Sequence, residues 1–207
     1  MNHAAVAGAT DRARGESPAR GLLLAESVRT LAAFAGLGAA TLSFGTSATL
    51  LTTASGSPWA MAGTVAAGLW GAPLLLWAVQ SLRTGAPAWP RVLLRVAPVW
   101  VFLHLAAVAL KIWWPGGSSR SLDGTALSAA VLELVILGCV GWLGRQTFRP
   151  SDRPPAAGPL LMMTFAAALI VAAITTPGLA ATAAGQHAVP HGEHGSSTPS
   201  APAGHHH

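Results

Sequence analysis

Five predominantly apolar stretches, each about twenty residues long, constrain this chain more than any other feature. In helical form a stretch of that length matches the roughly 30 Å hydrocarbon core of a bilayer. The stretches cover residues 31–53, 59–82, 96–114, 125–143 and 159–181, with short links rich in Gly, Pro and Arg between them. No water is available inside a bilayer to satisfy backbone N–H and C=O groups, so a spanning segment must close its own hydrogen bonds, and a helix does so. The predicted fold is therefore all-α: a polytopic membrane protein with a bundle of five transmembrane helices. Charge content agrees. Only 9% of residues are charged, whereas a soluble domain has about 25% and would need them to cover its surface.

Three regions follow. Residues 1–28, polar and small with Arg12, Arg14 and Arg20, read as a disordered cytoplasmic leader in which Leu22-Leu23-Leu24 is too short to span and makes at most an interfacial turn. A secretory signal peptide is the competing reading, but its apolar part would be long and no clean Ala-x-Ala site follows it. Residues 29–184 form the five-helix domain. Residues 185–207 form a disordered His-rich tail.

The basic residues work as topology markers. Ten of the twelve lie before the first stretch or in the links after the second and fourth: Arg12, Arg14, Arg20, Arg29, Arg83, Arg91, Arg95, Arg145, Arg149 and Arg153. The alternate links hold only Lys111 and Arg120. The positive-inside rule then puts the N-terminus in the cytoplasm and the tail outside. Lys111 lies close enough to a span end to snorkel. A net charge of +5 distributed this way gives no nucleic-acid patch.

Helix-packing signals are present in the first two stretches. Ala39, Ser43 and Ser47 share one helix face, and Gly63, Ala67 and Gly71 share another; small residues four apart let helix backbones approach closely in lipid. These faces suit each other, or another membrane protein, or a second copy of the chain. Hydroxyls in the first stretch can bond the carbonyl one turn back. Pro73 should kink the second helix. Gly36-Leu37-Gly38 looks like half of a dinucleotide fingerprint but lies inside a span with no preceding strand. Cys139, the only cysteine, excludes an intrachain disulfide and a cysteine metal cluster, and reads as a packing residue.

Two groups of residues carry candidate chemistry. Six of the eight histidines lie in the final 21 residues. His187, His191 and His194, with Glu193 among them, stand four and three apart, while Pro190 and Gly192 oppose a regular helix, so a flexible chelate is expected. Imidazole ligands without Met or Cys suit Cu(II) or Zn(II) better than Cu(I). A solvated tail that merely buffers near pH 6.5 is the plainer alternative. His205, His206 and His207 have the form of a purification-tag remnant and add little. Inside the spans, His104 and Glu133 lie at matching depth, roughly 12–15 Å below the same face at 1.5 Å per residue, on helices joined by a short link. A buried hydrogen-bonded pair, an intramembrane metal or proton site, and an acid–base pair of a membrane enzyme are all open readings. Two ligands alone are few for a metal. Met162 and Met163 are consecutive and cannot share a helix face. No recurrent catalytic motif occurs, and no organic cofactor is indicated.

The Pro177-Gly178-Leu179 helix end, the His187/His191/His194 tail and the five-span layout resemble small polytopic membrane proteins of high-GC Gram-positive bacteria with His-rich extracytoplasmic C-termini. Some of these are associated with copper handling and others with secondary-metabolite gene clusters. The tail histidines and this resemblance together point to a non-enzymatic protein of the bacterial cytoplasmic (inner) membrane that binds or hands over a transition metal at the outer face. The alternative is an accessory or structural membrane subunit of a biosynthetic, export or respiratory assembly, with an incidental tail.

Overall fold

A computed structural model describes residues 3–53, 57–113, 124–146, 157–182 and 185, with side chains from Gly21 onward except Thr53, Lys111 and Ile112. Its described part is helical, in the order α1 (His3–Thr53), α2 (Pro58–Thr84), α3 (Pro90–Trp113), α4 (Gly124–Arg145) and α5 (Ala157–Ala180). All five are long and apolar enough to cross a membrane, so this is a multi-pass membrane protein in contact with lipid. The His-rich tail from Gln186 onward lies outside the described residues.

Helices begin earlier and end later than the apolar runs do. α1 starts at His3, so most of the leader expected to lack structure belongs to a helix, and Leu22-Leu23-Leu24 is helical rather than a turn. Leu, Ala and Glu are strong helix formers, and extending a helix already nucleated by a span costs far less than starting one. The basic link expected over Arg83–Arg95 shrinks to residues 85–89. Gly85 caps α2 in the left-handed region at φ 70°, and Pro90 opens α3, where its missing N–H is no loss. α2 runs on through Pro73, and α3 through Pro98.

α1 and α4 form the centre. α1 packs on α2, α4 and α5, and α4 packs on α1, α3 and α5. Gly36 and Gly38 explain themselves here. A Cβ on Gly36 would lie 2.9 Å from the Trp77 ring of α2, and one on Gly38 would lie 2.7 Å from Thr175 Oγ1 of α5. Two bare positions thus let α1 receive helices on opposite sides. The small-residue faces of α1 and α2 do meet: Gly71 lies against Ser43 and Ala40, and Ser47 Oγ donates to the Thr64 carbonyl at 2.9 Å. Those faces are consumed inside the bundle. Other hydroxyls of α1 with described side chains return to the preceding turn, as from Thr41 to Leu37 and Thr46 to Leu42.

The two ends differ. Arg29, Gly85 and Gly144 gather at one end. At the other, Thr125 Oγ1 donates to the Gly178 carbonyl at 2.9 Å, and Gly45 of α1 abuts Thr182 just past α5. The chain therefore leaves α5 at the end remote from the arginines. Outward faces are apolar, with Leu69, Phe102, Leu161, Met162 and Phe165 exposed as lipid-facing side chains are. Among the described residues Trp59 and Trp113 are the most exposed aromatics and sit at helix ends, where the bilayer interface favours indoles.

Candidate functional site

α2 and α3 are consecutive but do not pack backbone to backbone, so the seam between them is closed by side chains. Its centre is Glu133 of α4, which is fully buried. Both of its carboxyl oxygens are engaged. Trp70 Nε1 of α2 donates to Oε1 at 2.8 Å, and His104 Nδ1 of α3 lies 3.0 Å from Oε2. One carboxyl group thus ties three helices together.

The sequence pattern makes this meeting natural. His104 stands nine residues before the end of α3 and Glu133 nine after the start of α4, about 13–14 Å deep on each helix at 1.5 Å rise. α3 and α4 are antiparallel neighbours, so equal depth becomes contact. The spans of α1, α2 and α5 contain no ionisable side chain beyond their ends. A carboxylate held in hydrocarbon costs roughly 2.5–3.5 kcal/mol even on permissive scales, so partners are required. An ionised Glu133 can only accept, which makes His104 Nδ1 the donor; a protonated Glu133 would donate to that nitrogen instead. Either arrangement keeps the bond.

Trp100, one turn before His104, completes the cluster. Its ring stacks on Trp70 at 5.1 Å between centroids and meets the His104 ring edge-on at 6.2 Å. Sequence reasoning paired His104 with Glu133 but missed both tryptophans. The available signal was Trp70 lying on the same face as Trp77, which is buried too. The His104 side chain keeps 18% of its surface exposed, so the pair is open on the imidazole side alone.

Toward the arginine end the seam is closed by the link itself. Trp77 Nε1 donates to the Ala88 carbonyl at 2.7 Å, and Ala88 N–H donates to Ser81 Oγ at 3.3 Å. Beside it, Arg29 of α1 donates to the Gly85 carbonyl and to Glu26.

Among the described residues no group of three or more His, Cys, Asp or Glu side chains is arranged to hold a metal. His104 and Glu133 supply two groups, and with both Glu133 oxygens occupied the arrangement is that of a hydrogen-bonded pair. Cys139 packs against the core, as a small apolar residue would. The tail candidates His187, His191, Glu193 and His194 lie outside the described residues. The chain matches no protein-family model, and neither curated proteins nor solved structures give a match, so its function must be argued from its own residues.

Proposed function

We propose that this protein is a non-enzymatic multi-pass protein of the bacterial cytoplasmic membrane that captures Cu(II) or Zn(II) at the extracytoplasmic face and hands it on. His187, His191 and His194, with Glu193, are the ligands, and the helical bundle is their anchor. The observation that carries the reading is the concentration of imidazoles that follows the last span in sequence, a span whose C-terminal end lies remote from Arg29. With ten basic residues flanking one set of span ends and two the other, the N-terminus is cytoplasmic and the tail is outside.

The chemistry fits capture and release. Imidazole nitrogens suit these ions, and the tail lacks the Met and Cys that Cu(I) prefers. Pro190 and Gly192 among the ligands disfavour regular structure, and the tail sequence offers no partners to orient the imidazoles, a support worth about ten- to a hundredfold in affinity. Micromolar dissociation constants follow. Binding weakens as pH falls through about 6.5, because a protonated imidazole has no lone pair for the metal.

The test is a Cu(II) and Zn(II) titration of purified full-length protein lacking His205–His207, beside a truncation ending at Gly185. Saturable binding that disappears with the tail supports the proposal. Binding that survives truncation but is lost in His104→Ala would move the site into the membrane. Absence of binding in both forms refutes metal capture.

A further inference from the structure

A pocket of about 270 Å³ opens at the arginine end of the bundle, between α1, the α2–α3 link and the last turn of α4. We propose that it binds the phosphoryl group of an anionic membrane lipid, with Arg29 as donor and Glu26 as the group that the lipid displaces. The inference depends on the membrane reading and is independent of metal capture by the tail.

Position is the first argument. α2 ends at Thr84, α3 begins at Pro90 and α4 ends at Arg145, so three span ends coincide at the level of Arg29. In a membrane that is the depth of the headgroups. Size is the second. The space is smaller than the pockets of roughly 300–1,000 Å³ that enclose drug-sized molecules, and a headgroup is within its reach where a large organic cofactor is not.

The donor is the third argument. Arg29 is held in place rather than left to swing in solvent, because one terminal nitrogen donates to the Gly85 carbonyl and the other to Glu26 Oε1. Its Nε is buried and has no acceptor. A buried N–H without a partner is rare, and an unseen ligand is one of the ordinary explanations. Guanidinium recognises carboxylate and phosphate through the same fork of N–H groups. Glu26, whose side chain is one-third exposed, thus offers Arg29 a carboxylate where a phosphate oxygen would serve.

The surroundings favour a lipid over free phosphate. Ala25, Pro87, Val140 and Leu143 give the pocket apolar walls, suited to the glycerol and first methylenes below a headgroup. Arg83, Arg91, Arg95 and Arg145 are exposed around the same end, and Glu26 is the one acid among the residues lining the pocket. Basic pockets between helix ends are a recognised means of holding anionic headgroups.

Arg29 also braces α1 against the link, so its removal tests two things at once. Glu26→Gln separates them. The full-length chain is purified with mixed phosphatidylglycerol and phosphatidylcholine, and retained lipid is measured by native mass spectrometry. The proposal expects preferential retention of phosphatidylglycerol, a severalfold rise in that preference in Glu26→Gln, and its loss in Arg29→Gln. If Arg29→Gln does not fold, the Glu26→Gln result decides. Equal retention of both lipids in wild type and Glu26→Gln would overturn the proposal. So would a preference unchanged by Glu26→Gln but abolished by replacing the four exposed arginines, since surface charge would then account for it. Millimolar inorganic phosphate that binds the lipid-free protein at Arg29, with no preference between lipids, would overturn the lipid source and assign the site to the free anion.

Discussion

Glu133 shows how one residue can organise a bundle without being a catalyst. Its two oxygens accept or share the N–H groups of Trp70 and His104, so each substitution at the cluster has a distinct expected cost. Trp70→Phe keeps the stack on Trp100 but removes a donor to a carboxyl group, and should lose about 1.5–3 kcal/mol. Glu133→Ala removes both contacts at once, leaves the buried Trp70 N–H without an acceptor and opens a cavity, and should lose about 2–5 kcal/mol. Glu133→Gln can still accept from Trp70 and donate to His104, and should cost less than either. Unfolding of the three variants in one detergent checks the order; Glu133→Gln proving the most damaging would mean that charge, rather than hydrogen bonding, holds the seam. The His104–Glu133 contact was legible in the sequence because these two ionisable residues lie at equal depth on adjacent antiparallel helices. The Trp70 bond was not. It depends on the rotation of α2 about its axis and on α2 resting on α1, neither of which hydropathy records.

At the scale of elements, the five spans follow from bilayer thickness and backbone satisfaction, and the sequence displays both. Their ends were less legible. Apolar periodicity stops at the membrane surface, whereas helix propagation stops only at a cap, so α1 extends far before Leu31 and α3 begins at Pro90. The packing of α1 and α2 through small residues was readable from spacing, but the purpose of Gly36-Leu37-Gly38 was not, since it requires knowing that α1 has neighbours on two sides. This gives a sharp contrast. Gly38→Ala inserts a methyl group 2.7 Å from Thr175 Oγ1 and 3.0 Å from Leu132 and Val171, and overpacking of that kind typically costs about 1–3 kcal/mol. Gly138→Ala meets nothing within 4 Å and should be neutral or mildly stabilising, since alanine favours a helix. Thermal unfolding of the two single variants compares them directly. A Gly38→Ala protein as stable as Gly138→Ala would show that α1, α4 and α5 do not approach as closely as described.

For the whole molecule, the bundle is asymmetric from end to end. Arginines, a braced link and a small pocket occupy one end, and α5 ends at the other, just ahead of the histidine-rich sequence. A membrane can read such asymmetry through the positive-inside rule, and metal capture outside the cell would need the orientation that the rule gives. The most direct measurement puts sidedness and chemistry together. Full-length protein, without His205–His207, is prepared in sealed right-side-out vesicles, and Cu(II) or Zn(II) is added to the outside only. The account predicts saturable micromolar binding by intact vesicles that is lost when His187, His191 and His194 are all replaced by alanine. Binding that requires the vesicles to be opened, or that is unchanged in the triple variant, would contradict it.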